Sequence, residues 1–261
     1  MDGMRRDGHT GMRTDGPTGP DTDGQPTGLL AATCASLATQ GFSLMPSADV
    51  SQCLRTDPEG WRRFGAHWDE LTPDTYAAET GTQRMRRYGH FTLSGSGELT
   101  RRAHIAFVQP EDTNPLYVDR DRHFEPLTES FAADPVLSAL LRMLGRVAAS
   151  LADAREWSVK VHPFRVVASA DRAGQPTPEG RHRDGVTLVT SLLIARGNAA
   201  GGESTVYGAD GSELMSTTLS EPGTLLLGDD RATLHGVSAI HPVDVTRPAH
   251  RDVLVTTLTA R

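Results

Sequence analysis

Short runs of aliphatic and β-branched residues, each bounded by glycine, proline or aspartate, make up the last hundred residues of the chain. Runs of this kind are typical of β-strands joined by turns. No helical pattern separates them, so they are expected to pair antiparallel and to form a sandwich or a barrel. The runs are WSVKVHPFRVVAS, VTLVTSLLIA, ESTVYG, GTLLLG and DVLVTTLTA.

Helical patterns precede this β region. DPVLSALLRMLGRVAASLA begins with Asp134 as an N-cap and Pro135 in the first turn, and its leucines follow a helical stripe. DPEGWRRFGAHWDEL begins with a second Asp-Pro pair at Asp57, and LLAATCASLATQG ends at Gly41, a residue type common after helix ends. We therefore expect a mainly β domain with flanking helices over residues 28–261.

Residues 1–27 differ in composition from the rest of the chain. They form loose octads, RRDGHTGM, RTDGPTGP and DTDGQPTG, with almost no large apolar side chains. Such a segment buries too little apolar surface to offset the entropy of ordering it. The composition predicts a disordered, low-complexity tail outside the domain.

Charge and composition exclude several classes of partner. The formal net charge is −7, which argues against nucleic acid or an anionic membrane surface as a partner, because either requires a dense basic patch. No apolar run approaches the roughly 20 residues that span a bilayer. Polar residues follow Arg5 and Arg6, so no signal peptide is predicted. The two cysteines form no disulfide framework. These features favour a cytoplasmic globular protein.

A possible metal site begins in RHRDGVTLVT. His182 and Asp184 are two residues apart at the start of a buried-looking strand, and residues i and i+2 of a strand share a face. His235, 51 residues after Asp184, is the candidate third ligand. Two imidazoles and one carboxylate on one face of an octahedral ion are the ligand set of non-haem Fe(II) oxygenases. Zinc prefers a more closed tetrahedral set, so iron is favoured.

Arg251 lies 16 residues after His235, at the head of a buried strand. A 2-oxo acid that chelates the metal has a second carboxylate, for which a guanidinium is a suitable bidentate partner. The rival histidines are His162, His241 and His250. Each lies beside proline or arginine at a strand end, where the alternative is a hydrogen-bonded structural role.

The order H-x-D, P-G-x-L-L-L-x-D-D, H and R-D-V-L-V resembles the iron(II)/2-oxoglutarate-dependent dioxygenases. Two segments narrow the resemblance to bacterial hydroxylases of free L-amino acids, of the L-isoleucine type: P-x-P-E-G-x-H-R-D-G around Glu179, and AFVQPEDTNPLYVDRDRHFEPL. The resemblance covers roughly residues 42–258. It implies a double-stranded β-helix (jelly-roll, cupin-like) core, with His182, Asp184 and His235 as iron ligands and Arg251 binding 2-oxoglutarate.

The reaction that this resemblance implies is hydroxylation of a small molecule, with Fe(II), 2-oxoglutarate and O2 consumed or bound and succinate and CO2 released. Asp184 argues against halogenation, since related halogenases have a small residue in place of the carboxylate. Many relatives carry serine or threonine two residues after the arginine, where this chain has Val253. Thr256 or Tyr207 is the predicted substitute for that hydroxyl.

Substrate contacts are predicted in two places that line the pocket of the resembling family. The sequence Arg86, Arg87 and Tyr88 precedes a strand, and Gln109 and Asn114 follow another. We take Arg87, Tyr88, Gln109 and Asn114 as the candidates; a solvated basic face and a turn are the alternative interpretation. Two other functions remain open: a jelly-roll module that binds a metal or ligand without turnover, and a cupin-like dioxygenase that does not use 2-oxoglutarate.

Overall fold

The computed structural model describes Met1 and residues 24–79, 81–104 and 122–261. Most helices precede the long strands. The helices are α1 (Gly24–Gln40), α2 (Ser47–Leu54), α3 (Pro58–Ala66), α4 (Thr75–Glu79), α5 (Glu129–Ala132) and α6 (Pro135–Ala149), with a 3₁₀ turn at His67–Glu70. The strands are β1 (Phe42–Met45), β2 (Thr72–Pro73), β3 (Arg84–Arg86), β4 (Gly89–Ser94), β5 (Leu99–Arg101), β6 (Glu156–Ala168), β7 (Leu188–Gly197), β8 (Ala199–Gly201), β9 (Glu203–Gly208), β10 (Glu213–Thr218), β11 (Leu225–Asp229), β12 (Thr233–Val237), β13 (Ile240–Pro242) and β14 (Ala249–Ala260).

Local sequence signals explain the helix ends. The Asp134 carboxylate accepts a hydrogen bond from the backbone N–H of Val136 at 2.8 Å, and Asp57 accepts one from Gly60 at 2.8 Å. Both are the predicted N-caps, and each is followed by a proline, whose missing N–H costs nothing in the first turn. Gly41 ends α1 with a φ of 80°, a left-handed conformation that favours glycine.

The strands form one large antiparallel sheet and two small ones. The large sheet has the order β1-β11-β7-β14-β6-β3-β2, and β4 pairs with both β6 and β5. The small sheets are β10-β9-β12 and β13-β8. Val206 of β9 packs against Leu193, Leu226 and Val253 of the large sheet, so the two sheets face each other. This is the predicted jelly roll.

The main hydrophobic core lies on the other face of the large sheet, where the helices cover it. Leu137, Leu141 and Leu144 of α6 are fully buried and belong to one cluster with Leu254 and Leu258 of β14. Burying each of these leucines contributes roughly 1.5–3 kcal/mol. Alternate residues of the long strands therefore face the helices, and the others face the opposite sheet.

The prediction of helices first and strands afterwards is incomplete. Strands β1 to β5 lie between the helices and join the large sheet at its two ends, β1 beside β11 and the others near β6. These strands have only two to six residues, too few for a clear alternation. Helix α1 begins at Gly24, so it includes the last four residues of the predicted tail; residues 2–23 lie outside the described part. None of the described helices has the length and apolarity needed to cross a bilayer.

Candidate functional site

His182, Asp184 and His235 converge on one point in the cavity between the two sheets. One ligand atom from each residue lies within 4.8 Å of the others. The Nε2 atom of His235 is 3.5 Å from a carboxylate oxygen of Asp184. The centroids of the His182 and His235 imidazole rings are 4.4 Å apart. The structure therefore brings together the three predicted ligands in a geometry that a single metal ion can bridge.

The chain does not place His182 and Asp184 on a regular strand as the two-residue spacing predicted. Both precede β7, and Gly185 bends the backbone with a φ of 72°. His182 instead forms an isolated antiparallel bridge with His235, with N–H···O distances of 3.0 Å in both directions. Convergence thus depends on a tertiary bridge to β12 and not on strand alternation.

Asp230 holds the backbone that carries Asp184. Its buried carboxylate accepts hydrogen bonds from the N–H groups of Asp184 at 3.1 Å and Val186 at 3.0 Å. The same carboxylate lies 3.9 Å from Nδ1 of His235. At that distance the two groups form no hydrogen bond, and Nδ1 of His235 is buried without a partner among the described residues. Asp230, which follows β11 directly, therefore fixes the backbone of Asp184 and acts on His235 only through its charge.

Hydrogen bonding leaves the correct nitrogen of His182 available. Its Nδ1 is 3.0 Å from the carbonyl oxygen of Gly180, and a carbonyl only accepts, so Nδ1 carries the proton. Burial and the neighbouring His182 lower the pKa of His235 to about 3, so that imidazole is neutral at working pH. Both rings can thus offer a lone pair. Burial raises the pKa of Asp184, because a desolvated carboxylate lacks counter-charge, which a divalent cation would provide.

The cavity between the sheets has a volume of about 630 Å³ and a strongly basic lining. This volume is in the range of small-molecule sites. Its cations are Arg84, Arg86, Arg122, Lys160 and Arg251. Arg84 forms an ion pair with the buried Asp74 at 2.8 Å. The lining also has apolar side chains from the large sheet, among them Phe164 and Val255.

Arg251 points into this cavity from β14 and is only 1% exposed. Its Nε and Nη2 atoms are buried and have no hydrogen-bond partner among the described residues. Burial and the adjacent guanidinium of Arg196 lower the pKa of Arg251 to about 10. Gly202 leaves space beside it, since a Cβ there would lie 3.2 Å from Cδ of Arg251. A buried, unpaired guanidinium is costly, and an anionic ligand would remove that cost.

Ser204 faces the same region from β9 on the opposite sheet. It is 2% exposed, lines the cavity, and its hydroxyl has no partner among the described residues. It lies between Gly202, which borders Arg251, and Val206, which packs on Val253. Sequence reasoning missed Ser204, because only the facing of the two sheets brings it into the cavity that Arg251 also lines.

Arg86 and His162 form a second polar group in the cavity. Nη2 of Arg86 is 2.6 Å from Nδ1 of His162, and the guanidinium lies 3.5 Å from the Phe124 ring centroid and 4.6 Å from that of Phe164. Because the guanidinium only donates, His162 accepts at Nδ1. Burial, with the Arg86 charge, holds the pKa of His162 well below its usual range. Of the rival histidines, this one contacts a cation.

This arrangement predicts a pH dependence of stability. His162 stays neutral in the folded protein, but in the unfolded chain it takes up a proton below about pH 6.5. The unfolded state then binds more protons, so the free energy of unfolding falls as the pH is lowered from 7 to 5. The contribution is at most about 1.4 kcal/mol per pH unit.

Urea unfolding of the metal-free protein at pH 7, 6 and 5 measures this effect, and His162→Gln is the matched variant. The glutamine amide oxygen can still accept from Arg86 but does not titrate. We expect a shallower decline of the unfolding free energy in the variant. Equal slopes for both proteins would show that His162 does not contribute.

The other predicted site residues lie elsewhere. Thr256 is on the helix-facing side of β14, because strand alternation puts it opposite to Arg251; its neighbour Thr257 lines the cavity. Tyr207 faces out from β9, with the Arg181 guanidinium 5.1 Å from its ring. Neither Thr256 nor Tyr207 is in the cavity lining.

Of the predicted substrate residues, Arg87 and Tyr88 are described, and neither is in the lining. Arg87 donates to the carbonyls of Glu70 at 2.7 Å and Pro126 at 2.8 Å, a structural role. Tyr88 is buried and stacks on His162 at 5.1 Å. In this segment the side chain that reaches the cavity is instead that of Arg86. Gln109 and Asn114 lie outside the described residues.

His241 and His250 also lie apart from the three convergent residues. His241 is exposed on β13. His250 is on the opposite face of β14 from Arg251 and packs on Gly197. The lining residues that sequence reasoning passed over, Lys160 and Arg122, lacked a local signal; Lys160 shares its strand face with His162.

Comparison with known proteins adds an independent line of evidence. The family model described as "2OG-Fe dioxygenase" matches residues 65–257. A crystal structure of a bsmA homolog from Methylobium petroleophilum PM1 is 35% identical, with a TM-score of 0.82 over 88% of this chain and 93% of that one. No curated protein matches the chain.

Two more distant structures share the fold. IDO from Bacillus thuringiensis is 16% identical, with a TM-score of 0.72 over 89% of this chain and 95% of that one. The Fe(II)/(alpha)ketoglutarate-dependent dioxygenase TqaL is 15% identical, with a TM-score of 0.72 over 92% and 90%. The family match covers most of the chain and includes every residue of the convergent site. The chain therefore belongs to the 2OG-Fe dioxygenase family, enzymes that use Fe(II), 2-oxoglutarate and O2.

Proposed function

We propose that this enzyme hydroxylates an unactivated C–H bond of a free L-amino acid, with release of succinate and CO2. The observation that carries the proposal is the convergence of His182, Asp184 and His235 in one cavity with the buried guanidinium of Arg251, which has no hydrogen-bond partner among the described residues. Membership of the family gives the reaction class. These four residues are the ones to which we assign metal binding and 2-oxoglutarate binding in this chain.

The two imidazoles, through Nε2, and the Asp184 carboxylate would hold Fe(II). This donor set fits the metal, because two neutral nitrogens and one carboxylate leave open positions on an octahedral ion. When bound, iron supplies the activation of O2 that couples decarboxylation of 2-oxoglutarate to oxidation of the substrate. Asp230 would hold the backbone of Asp184 in place through its hydrogen bonds to the N–H groups of Asp184 and Val186.

Arg251 would bind the distal carboxylate of 2-oxoglutarate. Its two unpaired N–H groups can form a charge-assisted, bidentate contact, which is stronger than a neutral hydrogen bond. The hydroxyl of Ser204, which lines the same cavity and has no partner among the described residues, would donate to that carboxylate, which Val253 cannot do. Ser204 thus takes the role that Thr256 and Tyr207 were predicted to fill.

Three cationic side chains of the cavity, which we call the basic wall, favour a substrate that carries a carboxylate. Arg86 and Lys160, on strands of the main sheet, and Arg122 line the same cavity as Arg251. Positive side chains in an enclosed, low-dielectric cavity attract an anionic group more strongly than they would at the surface. An α-carboxylate satisfies this requirement, and the cavity volume of about 630 Å³ accommodates 2-oxoglutarate together with one amino acid.

Anaerobic loading with Fe(II) and 2-oxoglutarate, followed by air and each common L-amino acid, tests the proposal. Mass spectrometry should show succinate formation stimulated by one amino acid, together with a product heavier by one oxygen atom. If succinate forms slowly and none of the amino acids stimulates its formation, the protein is a dioxygenase whose substrate is not a common amino acid. Iron-loaded protein that forms no succinate would favour a binding module without turnover.

A further inference from the structure

Glu179 lies in the cavity beside the candidate metal ligands, and the proposed roles do not use it. Its side chain is 13% exposed and lines the cavity. One carboxylate oxygen is 3.3 Å from Nε2 of His182, and this is its only polar contact among the described residues. A largely buried carboxylate with so little compensation is unfavourable unless a cation binds to it.

The contact with His182 cannot supply that compensation in the working enzyme. Nδ1 of His182 donates to the carbonyl oxygen of Gly180, so Nε2 carries a lone pair when the ring is neutral. A lone pair and a carboxylate oxygen form no hydrogen bond. In addition, Nε2 is the atom that binds iron under the proposed function. Once the metal is bound, its charge is shared with Asp184, and no side chain among the described residues supplies a further cation in contact with Glu179.

Glu179 is also distinct from the metal ligands. The ligand atoms of His182, Asp184 and His235 form one group within 4.8 Å, and no carboxylate oxygen of Glu179 belongs to it. The two residues between Glu179 and His182 include Gly180, with a φ of 78°, which turns the chain between the two side chains. The carboxylate is thus beside the ligand set and open to the space that a substrate would occupy.

Resting on the proposed function, we infer that Glu179 binds the ammonium group of the substrate. The cavity then has complementary charges for a zwitterion: the Glu179 carboxylate near the ligands, and the basic wall of Arg86, Arg122 and Lys160. The substrate class is a free α-amino acid with an unmodified amine, and acids without the ammonium group lose this contact. Glu179 is a residue of substrate recognition, since it contacts the substrate but transfers no proton.

Isothermal titration of the anaerobic Mn(II)- and 2-oxoglutarate-loaded protein separates recognition from turnover. The probes are the twenty common L-amino acids and, for each that binds, the carboxylic acid with hydrogen in place of the ammonium group. Glu179→Gln keeps the shape of the side chain and removes its charge. We expect it to weaken amino-acid binding by about 10- to 100-fold, and binding of the deaminated acid by less than about threefold. Glu221→Gln, at an exposed acid, is the matched control and should bind both probes like the wild type.

Three results would overturn the inference. If Glu179→Gln weakens both probes equally, or neither, the carboxylate does not recognise the ammonium group, while the amino-acid substrate stands. If the variant loses bound metal, measured by elemental analysis, Glu179 is a metal ligand. If the wild type binds no amino acid but still converts 2-oxoglutarate to succinate, the inference and the amino-acid substrate both fail, and the dioxygenase stands.

Discussion

His182→Ala is expected to abolish iron binding at working concentrations and to reduce substrate-dependent succinate formation by more than about 100-fold. Loss of an outer partner of a metal ligand already costs about 10- to 100-fold in metal affinity or activity, and His182 would be a direct ligand. Iron content after anaerobic loading and desalting gives one readout, and succinate measured by mass spectrometry gives the other.

His241→Ala is the matched control, because His241 follows the candidate ligand His235 closely in the chain but is exposed on β13. It should keep the iron content and activity of the wild type. The fold of the metal-free His182→Ala protein is checked by its near-ultraviolet circular dichroism. Activity that survives in a correctly folded His182→Ala variant would contradict the assignment of the metal site.

Arg251→Ala is expected to weaken binding of 2-oxoglutarate by roughly 30-fold or more. Removal of one partner of a buried, hydrogen-bonded charge pair costs about 2–5 kcal/mol, and each 1.4 kcal/mol is tenfold in affinity. Arg251 is almost fully buried and has no competing partner among the described residues, so the whole contact should be lost. Anaerobic titration of the metal-loaded protein with 2-oxoglutarate measures the dissociation constant directly.

Three further variants test the contribution of each contact to 2-oxoglutarate binding. Arg251→Lys keeps the positive charge but cannot form the bidentate contact, so an intermediate affinity for 2-oxoglutarate is expected. Ser204→Ala removes one neutral hydroxyl donor and should cost about 1 kcal/mol, or roughly fivefold. Arg247→Ala, at an exposed arginine, should leave the affinity unchanged. Unchanged affinity in Arg251→Ala as well would favour a dioxygenase that does not use a 2-oxo acid.

Features that depend on a few neighbouring residues could be predicted from the sequence. The capping aspartates Asp57 and Asp134, the end of α1 at Gly41 and the long strands follow from side-chain chemistry within one turn or one strand. The antiparallel β body followed from strand runs without intervening helices, whereas the jelly roll was implied by the family resemblance. Strand alternation also argues against the predicted role of Thr256 beside Arg251. Thr256 is an odd number of residues from Arg251 and therefore faces the helices.

Which side chains line the cavity is decided by the pairing of strands that are far apart in the sequence. Ser204 lines the same cavity as Arg251 because β9 and β14 belong to facing sheets, and His182 meets His235 because an isolated bridge joins the segment before β7 to β12. Arg86 enters the cavity while Arg87 points away, since β3 pairs with β6 in one particular register. These relations join residues far apart in the chain. A one-residue change of register would reverse which side chains are inside, and only the packed sheets select the register.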